Sequence, residues 1–157
     1  HSVQVELYPE GITAENAEEI LAKFDVIVDA SDNFPTRYLL SDTCMKLGKP
    51  DVYGAICEFA GQVTVFASDG PCLRCLCPEA KDPSGNPNSA AYGVLGVIPG
   101  MIGCMQAAEE LKLLLGKGEP LIGKMLFIDA KTWSTDLIEV PVHPQCSCHA
   151  HTKVHRM

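Results

Sequence analysis

Eight cysteines punctuate the 157-residue chain, and five of them fall into two tight groups. Pro71-Cys72-Leu73-Arg74-Cys75-Leu76-Cys77 holds a C-x-x-C, and Pro144-Gln145-Cys146-Ser147-Cys148-His149 holds a C-x-C followed by histidine. Thiolates bind Zn2+ at ~2.3 Å, and a closed tetrahedral site needs two close pairs that the fold brings together. The spacing therefore predicts a structural zinc centre with knuckles at 72–75 and 146–149. Cys72, Cys75 and Cys146 are its expected ligands. Cys148 is favoured as the fourth because it offers a thiolate, although it sits one residue closer to Cys146 than a usual knuckle. His149 has the usual spacing and is the alternative. Cys77 is then spare. Two unrelated sets of loop thiols are the plainer reading of the same pattern. A disulfide framework suits small secreted chains with thin cores and is not expected here. Cys44, Cys57 and Cys104 stand singly in apolar stretches and read as small buried hydrophobes.

A second candidate lies at Asp29-Ala30-Ser31-Asp32-Asn33. It closes the run Asp25-Val26-Ile27-Val28-Asp29-Ala30, whose β-branched residues predict a parallel strand buried on both faces. Ligands of open α/β sheets bind beyond the carboxyl ends of such strands. There Asp32 can present a carboxylate to Mg2+, and Asn33 an amide to a phosphate or ribose. Equally, Asn33 can cap the next helix while Asp32 complements its dipole. Arg37, one turn further in, has Asp32, Asp29, an anionic ligand or a surface carboxylate as partners.

These groups are positioned by a recognisable order of elements. Alternating Val-Gln-Val-Glu-Leu at 3–7 reads as a short strand. Thr13 can cap a helix over about 14–24 with Ala17, Ile20, Leu21 and Phe24 on one face. The strand at 25–30 leads to a helix over about 35–47, opened by Pro35 and closed by Lys49-Pro50, and then to a strand at 51–58. Helix, strand, helix, strand is the doubly wound pattern. A strand at 61–67 pairs antiparallel with its predecessor, and a Pro/Asn/Gly/Ser-rich loop spans 78–92. A glycine-rich helix follows over about 93–116, its glycines tolerable where backbones pack closely or approach a ligand. Strands at 123–129 and 135–140 complete the order. The expected fold is α/β: the C-terminal half of a doubly wound, Rossmann-like sheet continuing into antiparallel strands, with a zinc knuckle pair. Residues 1–157 read as a single domain.

Composition narrows the partners. Twelve basic against 20 acidic residues give a net charge of −8, a poor match to nucleic acid. No apolar run reaches the ~18 residues of a membrane span. The longest, Val94 to Met105, is broken by Gly96, Pro99, Gly100 and Gly103. No charged-then-apolar leader is visible, so a cytoplasmic protein is expected.

Asp-Ala-Ser-Asp-Asn-Phe-Pro-Thr-Arg at 29–37 resembles the D-x-x-D-N-x-x-x-R signature of the MoeB/ThiF/HesA family, prokaryotic relatives of ubiquitin-activating enzymes. The resemblance continues in order through Gly61–Phe66, Pro71–Leu76, Gly93–Gly100 with Gln106-Ala107, Gly123–Met125 with Asp129-Ala130, and the closing knuckle. It implies a homodimeric adenylyltransferase that uses ATP and Mg2+ on the C-terminal Gly-Gly tail of a ubiquitin-like sulfur-carrier protein, of the molybdopterin or thiamine type. The tail carboxylate would attack the α-phosphate, giving an acyl-adenylate and pyrophosphate. The same resemblance makes Asp32 the catalytic, metal- and phosphate-facing carboxylate and Asn33 a nucleotide contact. Cys72, Cys75, Cys146 and Cys148 would hold the structural zinc.

The chain departs from that pattern in three ways. The sulfur-transferring cysteine expected in the loop before Gly93 is Ser89, whose hydroxyl cannot carry a persulfide. The 146–149 knuckle is irregular. The family's glycine-rich phosphate loop, ribose-binding acid and catalytic Arg and Lys precede the matching segment, so this chain is expected to be the C-terminal part of a longer domain with half an ATP site. A non-catalytic, zinc-stabilised protein-binding module is the alternative. A thiol redox protein is a third reading, with Cys77 its remaining candidate.

Overall fold

A computed structural model describes residues 3–78 and 93–149. One five-stranded sheet, in sequential order β1 to β5, organises them. β1 (Ile27–Asp29) pairs parallel with β2 (Asp51–Cys57). β3 (Ala60–Phe66), β4 (Lys124–Asp129) and β5 (Ser134–Glu139) then follow in antiparallel succession. The doubly wound unit thus passes into an antiparallel meander, as the sequence predicts. The 79–92 segment, with Ser89, lies outside the described residues.

The helices cover the two faces of β2 and β3. On one face, α2 (Phe34–Leu47) and the short α3 (Leu73–Leu76) pack through Tyr38, Tyr53, Phe66 and Leu73. On the other, α4 (Val97–Leu115) sets Ile98 and Ile102 against Val63. Register explains the division: Val52 opposite Val65 and Gly54 opposite Val63 share the α4 face, while Tyr53 opposite Thr64 shares the α2 face. α2 begins where Asn33 Oδ1 accepts from the Thr36 N–H at 2.9 Å. It ends at Gly48, whose φ of 66° completes a left-handed C-cap.

Several local expectations give way to tertiary context. Residues 3–7 form no strand: Val3, Val5 and Leu7 stand exposed, because alternation makes a strand only where a neighbour supplies the ladder. The first helix is only α1 (Ala17–Leu21), not 14–24. Asn16 Oδ1 accepts from the Thr13 N–H at 2.8 Å, its amide donates to the Gly11 carbonyl, and the chain before Ala17 is a turn. β1 is buried on one face only, since Val28 is 40% exposed opposite the face that α2 covers. Cys44 is buried as expected, but Cys57 and Cys104 are exposed, one at the far end of β2 and one on the outward side of α4. Added Cβ atoms at Gly100 and Gly103 would meet nothing nearby among the described residues. The close approaches fall instead at Gly54 and Gly61 in the strands.

Asp51 sits fully buried on the α2 face, with neither carboxylate oxygen hydrogen-bonded among the described residues. Burial pushes its carboxyl well above the ordinary range, the charge of Asp29 adds to this, and Arg37 opposes it. A carboxyl that holds its proton more tightly when folded contributes its full stability below the ordinary carboxylate pKa. That contribution is lost as pH rises toward the folded-state value. Asp51→Asn should therefore flatten the fall of Tm as pH rises above the ordinary carboxylate range. At pH 8 it should raise Tm by about 2–4 °C for each kcal/mol recovered in a chain of this size. Thermal unfolding followed by circular dichroism reads both, and a variant less stable than its parent at pH 8 would contradict the assignment.

Candidate functional site

β1 stops opposite Tyr53, whereas β2 runs on to Cys57. The step leaves the Gly54–Ile56 edge of β2 bordering a pocket of about 300 Å3. Ser31, Asp32 and Arg37 close it from the β1–α2 side, Tyr53 and Gln62 from the sheet, and Ile102 and Gln106 from α4. Asp29, at the strand end, is buried and does not reach for a ligand. Its Oδ1 accepts from the Ser31 N–H at 2.8 Å and from the Ser31 hydroxyl at 2.6 Å, which fixes the turn into the pocket wall.

Asp32 lies exposed at the rim, and Asn33 Nδ2 donates to its Oδ1 at 3.3 Å. Asn33 is the helix cap, so its Oδ1 is already engaged by the backbone. Arg37 is largely buried and pairs with neither Asp32 nor Asp29. Its Nε and Nη2 both donate to the Ser31 carbonyl, at 3.1 and 2.7 Å, and its Nη1 donates to the Tyr53 hydroxyl at 2.6 Å. The guanidinium also lies over the Tyr53 ring, 4.9 Å from its centroid. Arg37 therefore holds the Ser31 turn in shape. Burial raises the Tyr53 hydroxyl pKa and Arg37 opposes the rise.

Gln106 and Gln62 are legible in the sequence only as members of longer motifs, and Tyr53 only as a strand residue. The available signal is a polar side chain at a position that periodicity assigns to the core. Gln106 Nε2 donates to the carbonyls of Asp29 and Val52, at 2.8 and 3.0 Å. It does so across Gly54, where any Cβ would overlap its carboxamide. Gly54→Ala should expel Gln106 and leave buried carbonyls unpaired, a loss of roughly 1–3 kcal/mol. Chemical denaturation of the two chains measures it, and an unchanged midpoint would mean the glycine is dispensable.

The second site forms at the far end of α2. Cys72 opens α3, and one helical turn brings its Sγ to 3.8 Å from that of Cys75. Cys146, 74 residues later, places its Sγ 3.4 Å from Cys72. Two ~2.3 Å bonds at a tetrahedral angle separate sulfurs by ~3.8 Å, so this spacing suits a shared metal ion. Cys72, Cys75, Cys146 and His149 bring their ligand atoms within 4.8 Å of one another. Cys148, preferred in the sequence reading, is not in that group: its thiol donates to Asp42 Oδ1 at 3.3 Å. The turn Ser147–His149 brings the imidazole into the group, while the Cys148 thiol, bonded to Asp42, also lies beside Cys72 and Cys146. Cys77 packs against Tyr38, Tyr53, Phe66 and Leu73, and burial pushes its thiol up, which disfavours it as an exposed nucleophile.

A mixed α/β domain with a polar pocket beyond its parallel strand, and a separate thiol-rich cluster, is the class these features define. The ThiF family profile matches residues 1–150, and the chain belongs to the ThiF family. It is 50% identical over 144 residues to the SAMP-activating enzyme E1 of Haloferax volcanii, covering 92% of this chain and 53% of that protein. It is also 50% identical over 150 residues to the sulfur carrier protein adenylyltransferase of Thermus thermophilus, covering 92% and 55%. The Arabidopsis thaliana adenylyltransferase and sulfurtransferase MOCS3 is 45% identical over 140 residues, covering 88% and 30%. The chain thus spans about half the length of the first two relatives, and the Thermus and Arabidopsis relatives mark its family as one of adenylyltransferases. Among solved structures, E. coli MccB with MccA-N7isoASN superposes with a TM-score of 0.70 at 14% identity, over 87% of this chain and 43% of that one. E. coli MccB with ATP gives 0.66 at 16%, over 83% and 42%. At such identities the likeness is one of fold.

Proposed function

We propose that this chain is the C-terminal portion of an ATP-dependent adenylyltransferase that activates the C-terminal Gly-Gly carboxylate of a ubiquitin-like sulfur-carrier protein. The observation that carries this reading is the pocket at the step between β1 and β2, with Asp32 at its rim and a bare strand edge along its wall. An extended tail without side chains fits beside a strand edge at a glycine, where main-chain hydrogen bonds hold it. Carboxylates are poor electrophiles, and adenylation supplies the leaving group. The work left to the protein is to align the tail carboxylate with the α-phosphate and to balance charge.

In this reading Asp32 is the catalytic carboxylate that faces Mg2+ and phosphate, and Asn33 contacts the nucleotide through its amide. An exposed carboxylate suits Mg2+, which takes one or two protein carboxylates alongside phosphate oxygens and water. When bound, that ion neutralises phosphate charge. Arg37 and Asp29 keep the Ser31–Asn33 turn in place, and Gln106 holds the strand end behind it. Zn2+ belongs to the knuckle cluster through Cys72, Cys75 and Cys146 with a fourth ligand from the 148–149 pair; a closed site of that kind is structural. Eight free cysteines agree with a reducing, cytoplasmic setting, and no helix of the described residues is long and apolar enough to cross a membrane. Exposed Leu111, Leu114 and Leu115 on α4 favour association, for which a homodimer is the simplest form.

ATP–pyrophosphate exchange tests the proposal, using the chain joined to the upstream half of a relative and a carrier ending in Gly-Gly. Exchange should require the carrier's terminal carboxylate and should fall by roughly 10²–10³-fold in Asp32→Ala, the scale for loss of one preorganised electrostatic contact. Carrier binding without any exchange would favour the zinc-stabilised binding module instead.

A further inference from the structure

The knuckle at 146–149 offers two fourth ligands, and their surroundings differ. Cys148 is already engaged. Its thiol donates to Asp42 Oδ1, and Asp42 is itself gripped by the fork of Arg74, with Nε 2.8 Å from Oδ1 and Nη2 2.7 Å from Oδ2. Arg74 lies in turn over the Tyr38 ring, 4.7 Å from its centroid. Asp42 and Tyr38 belong to α2 and Arg74 to α3, so Cys148 completes a polar latch that ties the closing turn to both helices. His149 is in the opposite situation. Its ring shares the 4.8 Å cluster with the thiols of Cys72, Cys75 and Cys146, yet its Nε2 is buried without a hydrogen-bond partner among the described residues. A buried ring nitrogen beside three thiols, with no partner among the described residues, is the arrangement a metal ion satisfies.

We propose that this chain holds its metal through three thiolates and one imidazole, from Cys72, Cys75, Cys146 and His149, while Cys148 stays outside the coordination sphere as the thiol of the Asp42–Arg74 latch. The proposal rests on the metal-centre part of the reading above. It departs from the four-thiolate set expected from the sequence. His149 keeps the two-residue spacing from Cys146 of a usual knuckle, whereas Cys148 is one residue too near. Of these two consecutive side chains the imidazole completes the coordination sphere, and the thiol, although it too lies beside Cys72 and Cys146, keeps its bond to Asp42 on α2. Three thiolates and a neutral imidazole leave a site with net charge −1 around a divalent cation, against −2 for four thiolates.

X-ray absorption at the zinc edge of the unsubstituted 157-residue chain reads the ligand set directly. Three sulfurs near ~2.3 Å and one nitrogen near ~2.0–2.1 Å are expected. Four sulfurs would overturn the proposal while leaving the metal centre standing. A chain purified and reconstituted with Zn2+ that binds none would overturn both. Co2+ substitution supplies a second, independent readout through its visible ligand-field and thiolate charge-transfer bands. Cys148→Ser should keep the Co2+ spectrum and one-to-one stoichiometry. His149→Ala should lower Co2+ affinity by more than the ~10–100-fold typical of losing an outer partner. His149→Cys should restore tight binding with bands shifted toward those of a four-thiolate site, which separates loss of a ligand from loss of folding. Loss of the spectrum in Cys148→Ser, with His149→Ala unchanged, would exchange the two roles and refute the assignment.

Discussion

The Gln106 carboxamide, pressed against the bare backbone of Gly54, is the contact on which the pocket depends. From α4 it bonds the carbonyls of Asp29 and Val52, one on each of the two parallel strands. Its grip sets where β1 ends relative to β2. The consequences pass along the chain: Asp29 receives Ser31, Arg37 grips the Ser31 carbonyl, and Asn33 caps α2. Each of these polar groups is committed to the backbone. Asp32 alone among the signature residues projects to the rim with its carboxylate exposed.

α2 joins the two candidate sites mechanically. Its first turns carry Asn33 and Arg37 beside the pocket. One face of its later turns carries Tyr38, Ser41 and Asp42 against α3 and the closing turn. Ser41 accepts from the Leu73 N–H at 3.2 Å, and the Tyr38 hydroxyl donates to the Cys77 carbonyl. The thiol cluster therefore anchors the far side of the helix whose N-terminus shapes the pocket. A metal held there would set how firmly the helix is seated.

Burial of charge is unevenly balanced across this arrangement. Arg37 is buried with each of its three guanidinium nitrogens donating a hydrogen bond, which offsets part of its desolvation. Asp29 and Asp51, close to it, retain unpartnered oxygens. A lone guanidinium faces two carboxyls, and the deeper of them, Asp51, is the one forced toward its neutral form. Stability and polarity near the pocket are thus coupled through one small electrostatic group.

Much of this was written in local sequence. Asn33 and Pro35 start α2, Gly48 stops it, the alternation of β3 sets its two faces, and the two cysteine groups announce a shared site. Those signals are local because capping, left-handed turns and side-chain periodicity act within a few residues. Partner-dependent features were not legible. The Val3–Leu7 alternation found no neighbouring strand, Val28 lost one covering layer, and Cys57 and Cys104 turned outward. Nor did the spacing reveal that Arg37 would serve the Ser31 carbonyl, or that Gln106 would need Gly54 as its seat. In the closing knuckle, residue types alone favoured the second thiol. Only the packed structure brought Asp42 and Arg74 to Cys148 and His149 into the cluster, because neighbours supplied by α2 and α3 are not written in the spacing of the turn.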